Sequence, residues 1–176
     1  MKFDRLLLVA LLAVALGGCW MGTNLFAASD ARPALPSGVY RAVEPGGSAK
    51  VYRVSLLPNG LTQLDDGKDK IPYGFTPLDA GGRNYVAWLQ IDEDHASQGA
   101  NAPNQFFGLL VRRAGGTFVA YAPSCKDAAA KLARASGASV QAGVRPACRF
   151  PTRAALRKAL RLLPRDNSGM TLTPLR

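Results

Sequence analysis

Between Ser37 and Tyr121 apolar and polar residues alternate with period two, and beyond Tyr121 the period lengthens to that of a helix. Period two puts successive side chains on opposite faces of a strand, so it commits the first stretch to half-buried β-structure. The alternation is plainest in Val39-Tyr40-Arg41-Ala42-Val43 and in Val51-Tyr52-Arg53-Val54-Ser55-Leu56. Turn signals punctuate it at Pro58-Asn59-Gly60, Asp66-Gly67, Ala80-Gly81-Gly82 and Ala114-Gly115-Gly116. Tyr85 to Ile91 reads as a central, heavily buried strand. Phe106–Arg112 is set to pair with Thr117–Tyr121 across Gly115-Gly116. The expectation is an antiparallel meander of six or seven strands, as a curved sheet or a small open barrel.

Two helices should follow. Ser124 and Asp127 have the spacing of a capping box, with Ser124 as N-cap. Ala128, Ala129, Leu132 and Ala135 would line one face, and Gly137 would end the helix. The second helix starts near Thr152, buries Ala155, Leu156, Ala159, Leu160 and Leu163, and stops at Pro164. Val144–Phe150 between them reads as a short strand. The class is therefore α+β, one domain over residues 37–165, with a frayed tail at 166–176.

Charge is unevenly placed in this chain of net +10. Residues 19–110 hold seven Lys/Arg and nine Asp/Glu, whereas residues 111–176 hold thirteen Lys/Arg against Asp127 and Asp166. On the second helix Arg153, Arg157 and Arg161 fall four apart and form one stripe. Lys158 stands beside them, and Arg149 and Arg165 flank them. No acidic residue on that helix relieves the repulsion. An anionic partner, solvation, or the chain's own Asp65, Asp66, Asp69 or Asp92–Asp94 must offset it. Arg149, Arg153, Arg157, Lys158 and Arg161 are the candidates for anion contact.

Catalytic signals are weak. His95 is the only histidine, and Asp92-Glu93-Asp94-His95 follows a strand directly, as a solvated loop would. Ser124 lacks a Gly-x-Ser-x-Gly elbow, and the paired glycines read as hairpin turns rather than a phosphate cradle. The expectation is a protein that is not an enzyme, with no metal, no cofactor and no nucleic-acid partner.

The N-terminus carries Lys2 and Arg5, an apolar run from Leu6 to Leu16, and the exit Leu16-Gly17-Gly18-Cys19. Eleven apolar residues are too few to span a bilayer, which takes about twenty, and suit an export leader. Leu16-Gly17-Gly18-Cys19 resembles the lipobox of bacterial lipoproteins. The resemblance covers residues 1–19 alone. It implies a signal peptide over 1–18, cleavage after Gly18, and acyl chains such as palmitate on Cys19. It further implies the cell envelope, with the protein lipid-anchored and facing the periplasm. Trp20 after the cysteine leans toward the outer membrane. The competing reading is an ordinary secretory leader cut near Phe26-Ala27-Ala28. Residues 19–36, rich in Gly, Ala, Ser and Pro, would form the anchor and a flexible tether. With Cys19 assigned to lipid, Cys125 and Cys148 remain, and an oxidising envelope favours a disulfide between them.

Two functional expectations follow. One is a non-catalytic, membrane-anchored binding or scaffold module whose basic C-terminal helix meets anionic lipid, lipopolysaccharide or an envelope protein. The other is a carrier of an apolar small ligand in a pocket between sheet and helices, lined by Tyr40, Tyr52, Tyr73, Phe75, Tyr85, Trp88, Phe106 and Phe107.

Overall fold

In the computed structural model, which describes residues 19–90, 104–142, 146–166 and 168–175, the strand β7 (Asn104–Arg112) is the stave that every other layer meets. Its sequence, Gln105-Phe106-Phe107-Gly108-Leu109-Leu110-Val111, is apolar on both faces, as a strand covered on two sides must be. One edge of β7 pairs with β6 (Asn84–Gln90). The other edge pairs with β8 (Phe118–Tyr121) over Leu109–Arg112, and with β1 (Cys19–Thr23) over Asn104–Phe106.

From β6 the meander runs back through β5 (Lys70–Pro77), β4 (Thr62–Asp65), β3 (Ala49–Leu56) and β2 (Gly38–Val43). The last strand, β11 (Met170–Leu175), fills the gap between β2 and β8. Eight antiparallel strands thus close into a barrel, which removes the exposed edges an open sheet would have. The expected antiparallel β-structure with C-terminal helices is present, but the open, six- or seven-stranded form is corrected to this closed barrel with three extra strands. The expected frayed tail at 166–176 is corrected as well. Met170, Thr171 and Leu172 alternate like the other staves, and Leu172 is buried beside Phe118.

Beyond β1 the sheet continues through β10 (Ala147–Arg149), parallel to β1, to β9 (Ser139–Gln141). The helices α1 (Asp127–Ala135) and α2 (Arg153–Leu162) complete the chain. Thr152 caps α2, its Oγ1 accepting the Ala155 N–H at 3.2 Å. Ser124 does not cap α1. Lys126 holds the N-cap position in extended backbone, and no side chain caps it. Cys125 is bridged to Cys148, with Cα atoms 5.3 Å apart, so the helix begins only after the bridge. The buried side of α1 is Ala133, with Ala129, Ala130 and Leu132 half-buried, while Ala128 and Ala135 face solvent, unlike the expected face.

Two apolar layers result. Tyr40, Ala42, Val54, Phe75, Tyr85, Leu110, Phe118 and Leu172 fill the barrel interior. Val86, Trp88, Phe107, Leu109, Val111 and Tyr121 face outward from β6, β7 and β8 and are covered by Leu156, Ala159 and Leu160 of α2. Trp88 lies flat on its cross-strand partner Gly74. A Cβ there would stand 1.9 Å from the indole Cε2.

Residues 20–36 are not a tether, which corrects the sequence expectation. Trp20 is fully buried against Phe150, and Leu25, Phe26 and Ala31 join the outer layer. Ala34 and Leu35 enter the barrel core just before β2 begins. Phe26 stacks on Trp88 and meets Phe107 edge-on. The side chain of Gln105, fully buried, accepts from Phe26 N–H at 2.9 Å and donates to Phe26 C=O at 2.6 Å. Residues 20–36 are apolar at nine of seventeen positions. Their apolar residues follow no period because the segment wraps over the barrel rather than forming one long element.

Gln105→Leu removes both partners of a buried peptide group, and an unsatisfied buried donor or acceptor costs about 1–3 kcal/mol. The urea midpoint of this variant should fall by an amount corresponding to about 2–4 kcal/mol. Gly74→Ala, which drives a methyl into Trp88, should cost about 1–3 kcal/mol in the same measurement.

Candidate functional site in the basic helical layer

α2 displays its cations as the spacing of four demands, and the chain itself occupies most of them. Arg153 grips Asp30 through two hydrogen bonds, Nη1 to Oδ1 at 3.1 Å and Nη2 to Oδ2 at 2.6 Å. Its Nε donates to the Leu25 carbonyl, and its guanidinium lies 4.9 Å from the centre of the Phe26 ring. Arg157 donates from Nη2 to the carbonyls of Pro77 at 2.9 Å and Leu78 at 3.0 Å. Arg161 reaches the same Leu78 carbonyl at 3.2 Å. Arg149 bonds Asn104 Oδ1 at 2.9 Å, and Lys158 reaches the Ala135 carbonyl at 3.5 Å.

The stripe is thus offset by the chain's own acceptors, and among the described residues Asp65, Asp66 and Asp69 do not contribute to it. Asp65 pairs with Lys70, and the Asp66 carboxylate accepts from the backbone of Lys68 and Asp69. The residue that does meet the stripe is Asp30, brought there by the N-terminal wrap. The Ala27 N–H holds the Asp30 carboxyl below its ordinary value, and Arg153 and Arg32 add to the lowering. Gly18, Asp92, Glu93, Asp94 and His95 lie outside the described residues. The backbone of Cys19 opens β1, opposite Ala147.

Several exposed cations of the described chain are unengaged, among them Arg41, Lys50, Arg53, Arg83, Arg112 and Arg165, and a further group lies at and on α1. Lys126, Lys131 and Arg134 are exposed and form no hydrogen bond or ion pair with a described residue. Lys131 and Arg134, three residues apart, lie on the side of α1 away from Ala129, Ala130 and Ala133, and Lys126 stands at the N-cap.

Among the described residues no three His, Cys, Asp or Glu side chains group as metal ligands, and no helix is long and apolar enough to cross a membrane. Between barrel wall and helices, Leu156, Ala159 and Leu160 are wholly buried against the outer layer, which fills the space a carried ligand would need. Of the aromatics considered as pocket lining, Tyr40, Phe75, Tyr85, Trp88 and Phe107 are buried in core, while Tyr52, Tyr73 and Phe106 are half-buried. Burial pushes the Tyr73 hydroxyl up to about 12. Two open clefts lie on the surface. One, of about 240 Å³, is bounded by Thr23, Ser139, Arg149 and Pro151, and one of about 290 Å³ by Glu44, Arg113, Arg165 and Asp166.

No family model matches this chain, and neither a curated protein nor a solved structure matches it at a significant level.

Because Asp30 has its folded pKa lowered, its contribution to stability is present above the unfolded value of about 3.9 and is lost as pH falls through the folded value. Asp30→Asn should therefore lower stability at pH 7 and flatten the loss of stability between about pH 5 and pH 2 in acid titrations followed by circular dichroism. Arg157→Met, which takes the side-chain donor from the Pro77 carbonyl and leaves Leu78 to Arg161 alone, should cost about 1–2 kcal/mol in urea unfolding at neutral pH.

Proposed function

We propose that this chain is a lipid-anchored protein of the bacterial envelope, acylated at Cys19, that serves as a non-catalytic binding or scaffold module. The observation carrying the proposal is that the residues just after Cys19 belong to the sheet and the core. β1 starts at Cys19, and Trp20, Leu25 and Phe26 are core residues. Cleavage after Gly18 leaves all of them on the mature chain. A cut near Phe26-Ala27-Ala28 would strip β1 from β7 and β10, empty the place of a fully buried tryptophan, and leave Gln105 without its partner. Loss of a large aromatic from a core costs about 3–5 kcal/mol, a large share of the 5–15 kcal/mol by which domains are stable. The tertiary structure thus favours the lipobox site over the secretory one.

The disulfide between Cys125 and Cys148 fits an oxidising compartment and leaves Cys19 for another chemistry. Three acyl chains, each buried CH₂ contributing about 0.8 kcal/mol, make the attachment effectively permanent. The α2 stripe is a structural clamp in this reading, and contact with other molecules falls to surfaces whose polar groups are not already used.

Mass spectrometry of the protein extracted from bacterial membranes tests the proposal. The expected N-terminus is a triacylated Cys19, and Cys19→Ser should remain unprocessed. An unmodified N-terminus near residue 28, or a chain with its leader intact in the wild type, would overturn it.

A further inference from the structure

We infer that the domain lies flush on the bilayer, with the exposed cations of α1, Lys126, Lys131 and Arg134, set against anionic lipid headgroups. This rests on the lipid-anchor reading and adds the membrane-facing surface to it. The expected tether between anchor and domain does not exist. Cys19 is itself a strand residue paired with Ala147, and Trp20, the next residue, is fully buried. An anchor at Cys19 is therefore joined directly to the backbone of a paired strand. A flexible segment of seventeen residues would place the domain roughly 20–25 Å from its anchor. Here the span is nil, and the elements next to Cys19 must meet the headgroups.

Those elements are identifiable. Trp20 pairs with Cys148, Cys148 is bridged to Cys125 with 5.3 Å between Cα atoms, and Lys126 follows. At strand and chain spacings this holds the Lys126 Cα within about 18 Å of the Cys19 Cα. The helix that Lys126 opens lies against β9, β10 and α2. Its outward side carries Lys131 and Arg134, with Asp127 as its one acid. On α2 the guanidinium groups of Arg153, Arg157 and Arg161 are turned to Asp30 and to backbone carbonyls. On α1 no described group competes for the charge. Charge complementarity and closeness to the anchor select one partner, the phosphate layer of the membrane that holds Cys19. The disulfide has a role in this arrangement: it fastens the basic helix to the strand beside the anchored one.

Lysine acetylation by a water-soluble reagent, read by mass spectrometry, tests the inference on the acylated full protein. The protein is placed in vesicles of phosphatidylcholine with or without phosphatidylglycerol. Lys126 and Lys131 should label about five-fold more slowly in the anionic vesicles, the factor corresponding to ~1 kcal/mol per membrane-facing cation. Lys50 and Lys68, on the opposite side of the barrel from β7, should label alike in both. Raising salt to about 0.5 M should restore most of the α1 labelling. Equal labelling of Lys126, Lys131, Lys50 and Lys68 on an acylated protein would overturn the docking and leave the anchor standing. A protein recovered without acyl chains would overturn both.

Discussion

The fold depends on the grip of β7 on the N-terminal segment. A strand with two buried faces can take a polar side chain only where that side chain is fully bonded, and Gln105 is the case here. Its amide reads one peptide group, that of Phe26, as donor and acceptor together. Phe26 is thereby placed over Trp88, which in turn needs the bare backbone of Gly74 beneath it. One peptide–amide pair therefore orders a chain of contacts running from the segment after Cys19 to the far side of β6. Buried polar groups of this kind specify a single arrangement because any shift leaves them unbonded.

The arginines of α2 extend the same logic outward. Like charges four residues apart repel along a helix, and a row of three would weaken α2 if each faced water alone. Arginine can offset this because its planar fork makes several directed bonds at once. Arg153 uses the fork on a carboxylate and a carbonyl together, and Arg157 and Arg161 converge on the chain as it leaves β5. The basic stripe ties helix, N-terminal wrap and barrel together. A regular row of charge, which on sequence grounds suggests an outside partner, here serves the inside of the molecule. The less regular set on α1 is among the cations left for solvent and surface.

Much of the fold was legible in local pattern. The strands around Val39–Val43, Val51–Leu56 and Tyr85–Gln90, the hairpin through Gly115-Gly116, and α2 with its cap at Thr152 all follow from periodicity and turn chemistry. These signals are local, since each strand face or helix stripe needs burial irrespective of what buries it. The disulfide was legible by compartment and count. The start of α1 was not, because the Cys125 bridge holds the chain extended where Ser124 offered a cap. Nor was the candidate surface, because which cations are engaged depends on acceptors at Asp30, Pro77 and Leu78, far away along the chain.

The sequence by itself determined an antiparallel β-domain with a C-terminal basic layer, since alternation, turns and charge are properties of neighbouring residues. Only the tertiary structure decided that the sheet closes, because closure requires Met170–Leu175 to pair with strands on either side that are distant in sequence. It alone turned residues 20–36 from spacer into core, because their apolar side chains have no period and acquire meaning only against the outer wall of the barrel.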